Sequence, residues 1–237
     1  MKMSVLNILM ITAFILFISI SYASDRITKT YNYKDFSAVD VSSGMHLKVT
    51  QSDSFSIEVI ADQDDFKYLR VEKDGNSLKL YIKRDSFFFD WGRHNKIEVN
   101  IKMPSLIRLE LSGGSIGNIN MDVSTTKFSA ELSGGSSING NLKCGKIEME
   151  LSGGSVAELY GQGKNLKVDG SGGSIFKLKN FEVNDVDADL SGGSVVEITM
   201  NGALNTEQSG GSHLTYFGKA SLGNTDFSGG SGISKGR

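Results

Sequence analysis

The sequence predicts an all-β protein, a parallel β-helix of about seven regular coils of about 20 residues each, preceded by an irregular β-rich part. Three observations point there. The tetrapeptide Ser-Gly-Gly-Ser occurs seven times, starting at Ser112, Ser133, Ser152, Ser171, Ser191, Ser209 and Ser228, with spacings of 21, 19, 19, 20, 18 and 19 residues. Apolar and polar residues alternate on both sides of it, and a period of two belongs to strands. The chain also holds 28 glycines and one proline, Pro104, which suits tight turns in a regular scaffold and not a linker.

The chain opens with Lys2, an apolar run from Val5 to Ile20, and Ser21-Tyr22-Ala23. This pattern predicts a secretory signal over residues 1–23, cleaved after Ala23. About 15 apolar residues is short for a bilayer span, which needs roughly 20. No cysteine lies near the cleavage site to carry a lipid. The expected product is a soluble exported chain in the periplasm, at the cell surface or outside the cell. Without Lys2, 24 basic side chains face 27 acidic ones, a net charge of −3. That balance argues against nucleic acid or an anionic membrane surface as partner. Cys144 is the only cysteine, which excludes an intramolecular disulfide and a cysteine-based metal cluster.

Residues 24–237 are expected to form one β-helical domain. In its irregular part, 24–105, Val39 to Gly44 with Leu47 and Val49 form a degenerate coil, and Ile57, Val59 and Ala61 another strand. Leu78, Leu80 and Ile82 answer Ile97, Val99 and Ile101 across an interruption of 14 residues. In the regular part, 106–237, inward runs precede each tetrapeptide: Ile107, Leu109, Leu111; Phe128, Ala130, Leu132; Ile147, Met149, Leu151; Val186, Ala188, Leu190. Alternation resumes after it, as in Ile138 and Gly140, Phe176 and Leu178, Val196 and Ile198. Each coil reads as strand, Gly-Gly turn, strand and a more variable return segment. Right-handed winding is expected. Thr206 and Gln208, then Gly223 and Thr225, take inward positions near the C-terminal end, as a polar cap would.

These segments resemble a known family. Phe36-Ser-Ala-Val-Asp-Val-Ser-Ser-Gly-Met-His-Leu-Lys-Val-Thr-Gln51, Ser56-Ile-Glu-Val59, Leu69-Arg-Val-Glu72 and Asp74-Gly-Asn-Ser-Leu-Lys-Leu80 are similar to the head GIN domain family. Ile97 to Leu106 with Pro104, and the closing Leu214-Thr-Tyr-Phe-Gly218, add to the match. Its members are exported proteins of Bacteroidetes-type bacteria described as putative autotransporter adhesins. The resemblance implies a β-helical fold and an adhesive surface role, and it brings no catalytic residues. Self-transport is not expected, because no membrane-barrel segment follows the last repeat.

Candidate sites are few. An acid stands two residues before every tetrapeptide: Glu110, Glu131, Glu150, Asp169, Asp189, Glu207 and Asp226, with Asp40 in the degenerate coil. Alternation points them outward in one column, where carboxylates about 5 Å apart repel by roughly 0.8 kcal/mol even in bulk water. Either Ca²⁺ bridges adjacent coils through them, or turn amides and serine hydroxyls donate to them. The calcium-binding Gly-Gly-x-Gly-x-Asp nonapeptide is absent. The interruption holds Phe87, Phe88, Phe89 and Trp91, which either bind a glycan or a surface protein or cover an open end of the helix. Gly113-Gly-Ser-Ile-Gly117 matches a hydrolase nucleophile pattern, but that pattern needs a strand-to-helix elbow, and here it is one copy of a repeated turn. His46, His94 and His213 are scattered, and Cys144 reads as a small buried filler.

The expected function is a non-catalytic binding or adhesion module of the bacterial envelope, with no cofactor required. A carbohydrate-active lyase or hydrolase with Glu148 and Glu150, or Asp187 and Asp189, as paired carboxylates is the alternative from another class, and a purely structural envelope protein is a third.

Overall fold

The structure is a computed structural model that describes residues 26–83 and 96–237. Among the described residues eighteen strands follow in chain order. The first seven are β1 (Arg26–Tyr31), β2 (Ala38–Val41), β3 (His46–Gln51), β4 (Ser56–Asp62), β5 (Leu69–Asp74), β6 (Ser77–Ile82) and β7 (Glu98–Met103). Next come β8 (Arg108–Leu111), β9 (Ile116–Leu132), β10 (Ser137–Leu151), β11 (Val156–Gly170), β12 (Ile175–Val183) and β13 (Asp185–Leu190). The last are β14 (Val195–Met200), β15 (Ala203–Gln208), β16 (His213–Gly218), β17 (Ser221–Phe227) and β18 (Gly232–Lys235).

From β8 on, the chain is a β-solenoid. Parallel pairing sets each coil on the last, as in Ser137↔Val156 and Ile147↔Leu166, a step of 19 residues. In every coil a strand ending one residue after the acid meets the corner, and a second strand leaves it. The return segment is more regular than the sequence suggests. β9, β10 and β11 run unbroken for 17, 15 and 15 residues from one corner to the next, and residues such as Leu142↔Gly161 stay in register along the way.

The corner explains the repeated tetrapeptide. Its fourth serine is buried in the first six copies, from Ser115 to Ser212, and its hydroxyl donates to the carbonyl of the first serine, for example Ser155 Oγ to Ser152 O at 2.7 Å. A hydroxyl therefore closes the turn and satisfies a buried polar group at once. At Ser152–Ser155 both glycines have positive φ, +63° and +77°, the pattern of a type I′ turn. The last three corners differ: only the first glycine is left-handed, and Gly211 N–H donates to Gly192 O at 2.6 Å and Gly230 N–H to Gly210 O at 2.7 Å. Turning the central peptide links neighbouring corners directly.

The irregular part is stacked on the same axis, in an order the chain does not follow. β2 lies between β6 and β8, and β3 between β7 and β9. β4 then runs antiparallel to β7, β1 antiparallel to β4, and β5 antiparallel to β6. The stretches around Leu80 and Val99 therefore do not pair with each other: Leu80 pairs with Val41 and Val71, and Val99 with Leu47 and Val59. At the next corner, Ser42-Ser43-Gly44-Met45, Ser43 holds the place of the first glycine at φ +67°, and buried Met45 replaces the fourth serine.

One cluster of buried apolar side chains runs from Phe36 to Leu214. It includes Cys144, whose Sγ donates to Lys146 O at 3.0 Å, as expected of a buried filler. Ile107, read as inward from the sequence, is 40 % exposed. Ile107 N–H donates to Ser37 O ahead of β8, and the buried side chain at that bend is Leu106. Toward the C-terminal end Thr206 and Gln208 are buried as expected, whereas Thr225 is exposed. Gln208 Nε2 donates to Thr206 Oγ1 at 3.1 Å, and its Oε1 has no partner.

Candidate functional site

The acids predicted to form a column do so. Cα register carries Asp40 to Glu110, Glu110 to Glu131, Glu131 to Glu150 and Glu150 to Asp169. It continues to Asp189, Glu207 and Asp226, so eight carboxylates stand on successive rungs about 4.8 Å apart. The first six line a groove of about 410 Å³, together with Ser112, Ser133, Ser152, Ser171 and Ser191 from the adjoining corners.

Charge compensation is uneven along this groove. Arg108 reaches Glu110 at 2.6 Å and Glu131 at 2.8 Å, and Lys167 reaches Asp169 at 2.8 Å. Glu150, Asp189, Glu207 and Asp226 make no hydrogen bond or ion pair among the described residues. Among the described residues no serine hydroxyl donates to an acid of the column, and the fourth serine of each corner is committed to the first serine's carbonyl. At the N-terminal end of the column, burial first and the neighbouring Glu110 second push the Asp40 carboxyl above its ordinary value. No three acids, histidines or cysteines among the described residues come close enough to hold a metal ion together. A cation in this groove would therefore rest on two carboxylates at most, with other oxygens completing its shell.

One carboxylate of each pair in the enzymatic alternative is otherwise engaged. Glu148 lies between Lys127 at 2.7 Å and Lys146 at 2.8 Å, and their hydrogen bonds draw its carboxyl down to about 2. A group held ionised in this way is a poor proton donor at neutral pH. Asp187 accepts from Asn205 Nδ2 at 2.8 Å.

A feature missed from sequence lies on the other side of the corner. The residue after each tetrapeptide faces outward, and Ile116, Val156, Ile175 and Val195 stack there with Ser137 between the first two. Ile116 is 43 % exposed and Val195 37 %. The signal was available, since the same repeat register that revealed the acids places these apolar side chains one residue after the turn. The corner thus presents an acidic groove and an apolar stripe on either side of a ridge of glycines.

Phe87, Phe88, Phe89 and Trp91 lie outside the described residues, as do His94 and residues 1–23, expected to form a secretory signal. β6 ends at Ile82 and β7 begins at Glu98. No helix among the described residues is long and apolar enough to cross a membrane.

The fold is a β-solenoid whose corner repeats the same acidic position on successive rungs. Residues 35–220 match the family model described as putative auto-transporter adhesin, head GIN domain, and the chain belongs to that family. Among solved structures it is similar to a putative adhesin from Bacteroides fragilis, with TM-score 0.78 and 17 % identity over 89 % of this chain and 96 % of that one. A putative adhesin from Parabacteroides merdae follows with TM-score 0.69 and 16 % identity over 91 % and 98 %. A putative lipid binding protein from Parabacteroides distasonis has TM-score 0.69 and 15 % identity over the same shares, 91 % and 98 %. At these identities the likeness is one of fold. No curated protein matches the chain.

Proposed function

We propose that the chain is an exported, non-catalytic adhesion module of the bacterial cell envelope that meets its ligand along the solenoid corner. The carrying observation is that polar groups here repeat and do not converge: one carboxylate per rung lines a continuous groove, with an apolar stripe beside it. Such a surface fits an extended ligand with evenly spaced groups, a glycan or a surface protein. The family's description as an adhesin supports the reading, and the engagement of Glu148 by two lysines counts against the paired-acid enzyme. Hard cations such as Ca²⁺ belong in the same picture as bridges between the uncompensated acids of the column and ligand oxygens.

The test is binding of the purified protein to a panel of glycans and bacterial surface fractions, with calcium and with chelator. Saturable binding without turnover, lost when Glu150 and Asp169 are both changed to lysine, is the expected result. Binding indifferent to those changes moves the contact surface elsewhere, and cleavage of any glycan overturns the non-catalytic reading. If chelator leaves both binding and the melting temperature unchanged, the cation has no part.

A further inference from the structure

The outward face of the sheet that leaves the corner carries a block of asparagines. Asn118 and Asn120 of β9 lie in register with Asn139 and Asn141 of β10, and all four are exposed. Thr50 of β3 stands beside Asn120 on one side of the block, and half-buried Tyr160 of β11 beside Asn141 on the other. Asparagine is a poor strand residue. Elsewhere in this solenoid its amide is tied to an acid on the neighbouring rung: Asn205 Nδ2 donates to Asp187 Oδ1 at 2.8 Å, Asn201 Nδ2 to Glu182 Oε1 at 2.8 Å and Asn165 Nδ2 to Asp185 Oδ2 at 3.2 Å. The block is different. Asn139 lies against the Tyr160 hydroxyl, whereas Asn118, Asn120 and Asn141 make no side-chain hydrogen bond among the described residues. The Tyr160 hydroxyl donates to Glu158, two residues back along the strand, which holds the ring down along the sheet.

We propose that this face binds neutral sugar, a short uncharged oligosaccharide laid across the rungs between Thr50 and Tyr160. A carboxamide offers two donors and the lone pairs of its oxygen, and a hydroxyl offers one donor and two lone pairs. Unengaged amides side by side therefore match neighbouring sugar hydroxyls with no charge on either partner. The four asparagines form a flat grid, about 4.8 Å between rungs and about 6.6 Å between alternate residues of a strand. Tyr160 at its end supplies an aromatic surface for the apolar face of a sugar ring. A peptide is a poorer occupant. Extended peptides join a sheet at an open edge, and here β9 and β10 are paired on both sides, with β3, with each other and with β11. The grid lies beside the apolar stripe and across the corner from the acid column, so it is a second contact surface, independent of the groove.

Calorimetric titration of the purified protein with neutral oligosaccharides of hexoses and of N-acetylhexosamines, up to millimolar concentration, tests this. Chelator is present throughout, which removes the cation-bridged contact proposed for the groove. The expected result is saturable binding of at least one of these sugars, unchanged between low and high salt because no charge takes part. Asn120→Thr with Asn141→Thr should weaken it by roughly tenfold or more. The melting temperature of that variant should hold or rise, because threonine suits a strand better than asparagine. Tyr160→Ala should weaken binding as well. Glu150→Lys with Asp169→Lys, in the corner groove, should bind these sugars as the parent does. A protein that binds none of them, binding indifferent to the asparagine changes, or binding lost in the groove variant would each overturn the proposal; the last of these would place the sugar in the groove and uphold the reading of the corner.

Discussion

Gly154 and Gly193 occupy the same place, the second glycine of a corner tetrapeptide, and a β-carbon added at either meets no atom within 4 Å. Only their backbones differ. Gly154 sits at φ +77°, and Gly193 is outside the left-handed region. Alanine in the left-handed region costs about 1–2 kcal/mol, offset by about 0.4–1 kcal/mol because alanine restricts the unfolded chain. Gly154→Ala should therefore destabilise by about 1 kcal/mol. Gly193→Ala meets only the second effect and should stabilise by about 0.5 kcal/mol. The gap of about 1.5 kcal/mol corresponds to roughly 3–6 °C in melting temperature for a chain of this size. Thermal melts of the two variants beside the parent measure it, and amide exchange at the two corners shows whether the change is local, as expected when coils contact only their neighbours. Equal shifts for both variants would refute the reasoning, because then crowding or hydration, and not φ, would decide why glycine stands there.

Three further outcomes are expected. Ser43→Gly should stabilise the protein by about 0.5–1 kcal/mol, since Ser43 carries a side chain at φ +67° and makes only long hydrogen bonds at 3.4 Å; denaturant titration reads it. Glu148→Gln should cost about 1 kcal/mol at neutral pH by breaking two exposed ion pairs. Because the folded carboxyl titrates near 2 against an ordinary 4.5, its stabilisation is present above the ordinary value and lost as pH falls toward 2, so the variant's pH–stability curve should be flatter in that window. Asp40→Asn should act with the opposite sign. The raised folded value means that ionisation opposes folding once pH rises above the ordinary carboxylate range. The variant should be more stable than the parent at neutral pH, and the gain should vanish in acid, where the parent's Asp40 is already neutral.

The fold was legible because one signal, the tetrapeptide, marks every coil at the same geometric point. Alternation on either side then assigns inside and outside, and the acid column follows from register alone. Ile107 shows the limit of that reasoning: alternation was carried one residue past the strand, into a bend where the chain rotates and Leu106 turns inward. The stacking order of β2, β6 and β8 lay beyond reach for a different reason. Pairing between strands distant in sequence leaves no local mark, and the antiparallel strands β4 and β5 that return the chain look like any other alternating run. The apolar stripe beginning at Ile116 was present in the same register as the acids. It was missed because an apolar side chain next to a turn reads as core until the phase of the corner is known.

The acid column itself calls for a cause that the fold does not supply. Its neighbouring outward column, two residues earlier, holds Arg108, Ser129, Glu148, Lys167, Asp187 and Asn205 on successive rungs, so the solenoid accepts either charge or none at such positions. If folding alone chose the residue beside the corner, the same mixture should stand there. Instead every rung from Asp40 to Asp226 carries a carboxylate, although each adjacent pair repels and several have no compensating partner. The fourth serine's hydroxyl, one local donor, is used inside the corner. On the proposed function, a line of like charges is explained by what the groove receives, cations or a ligand that arrives with them.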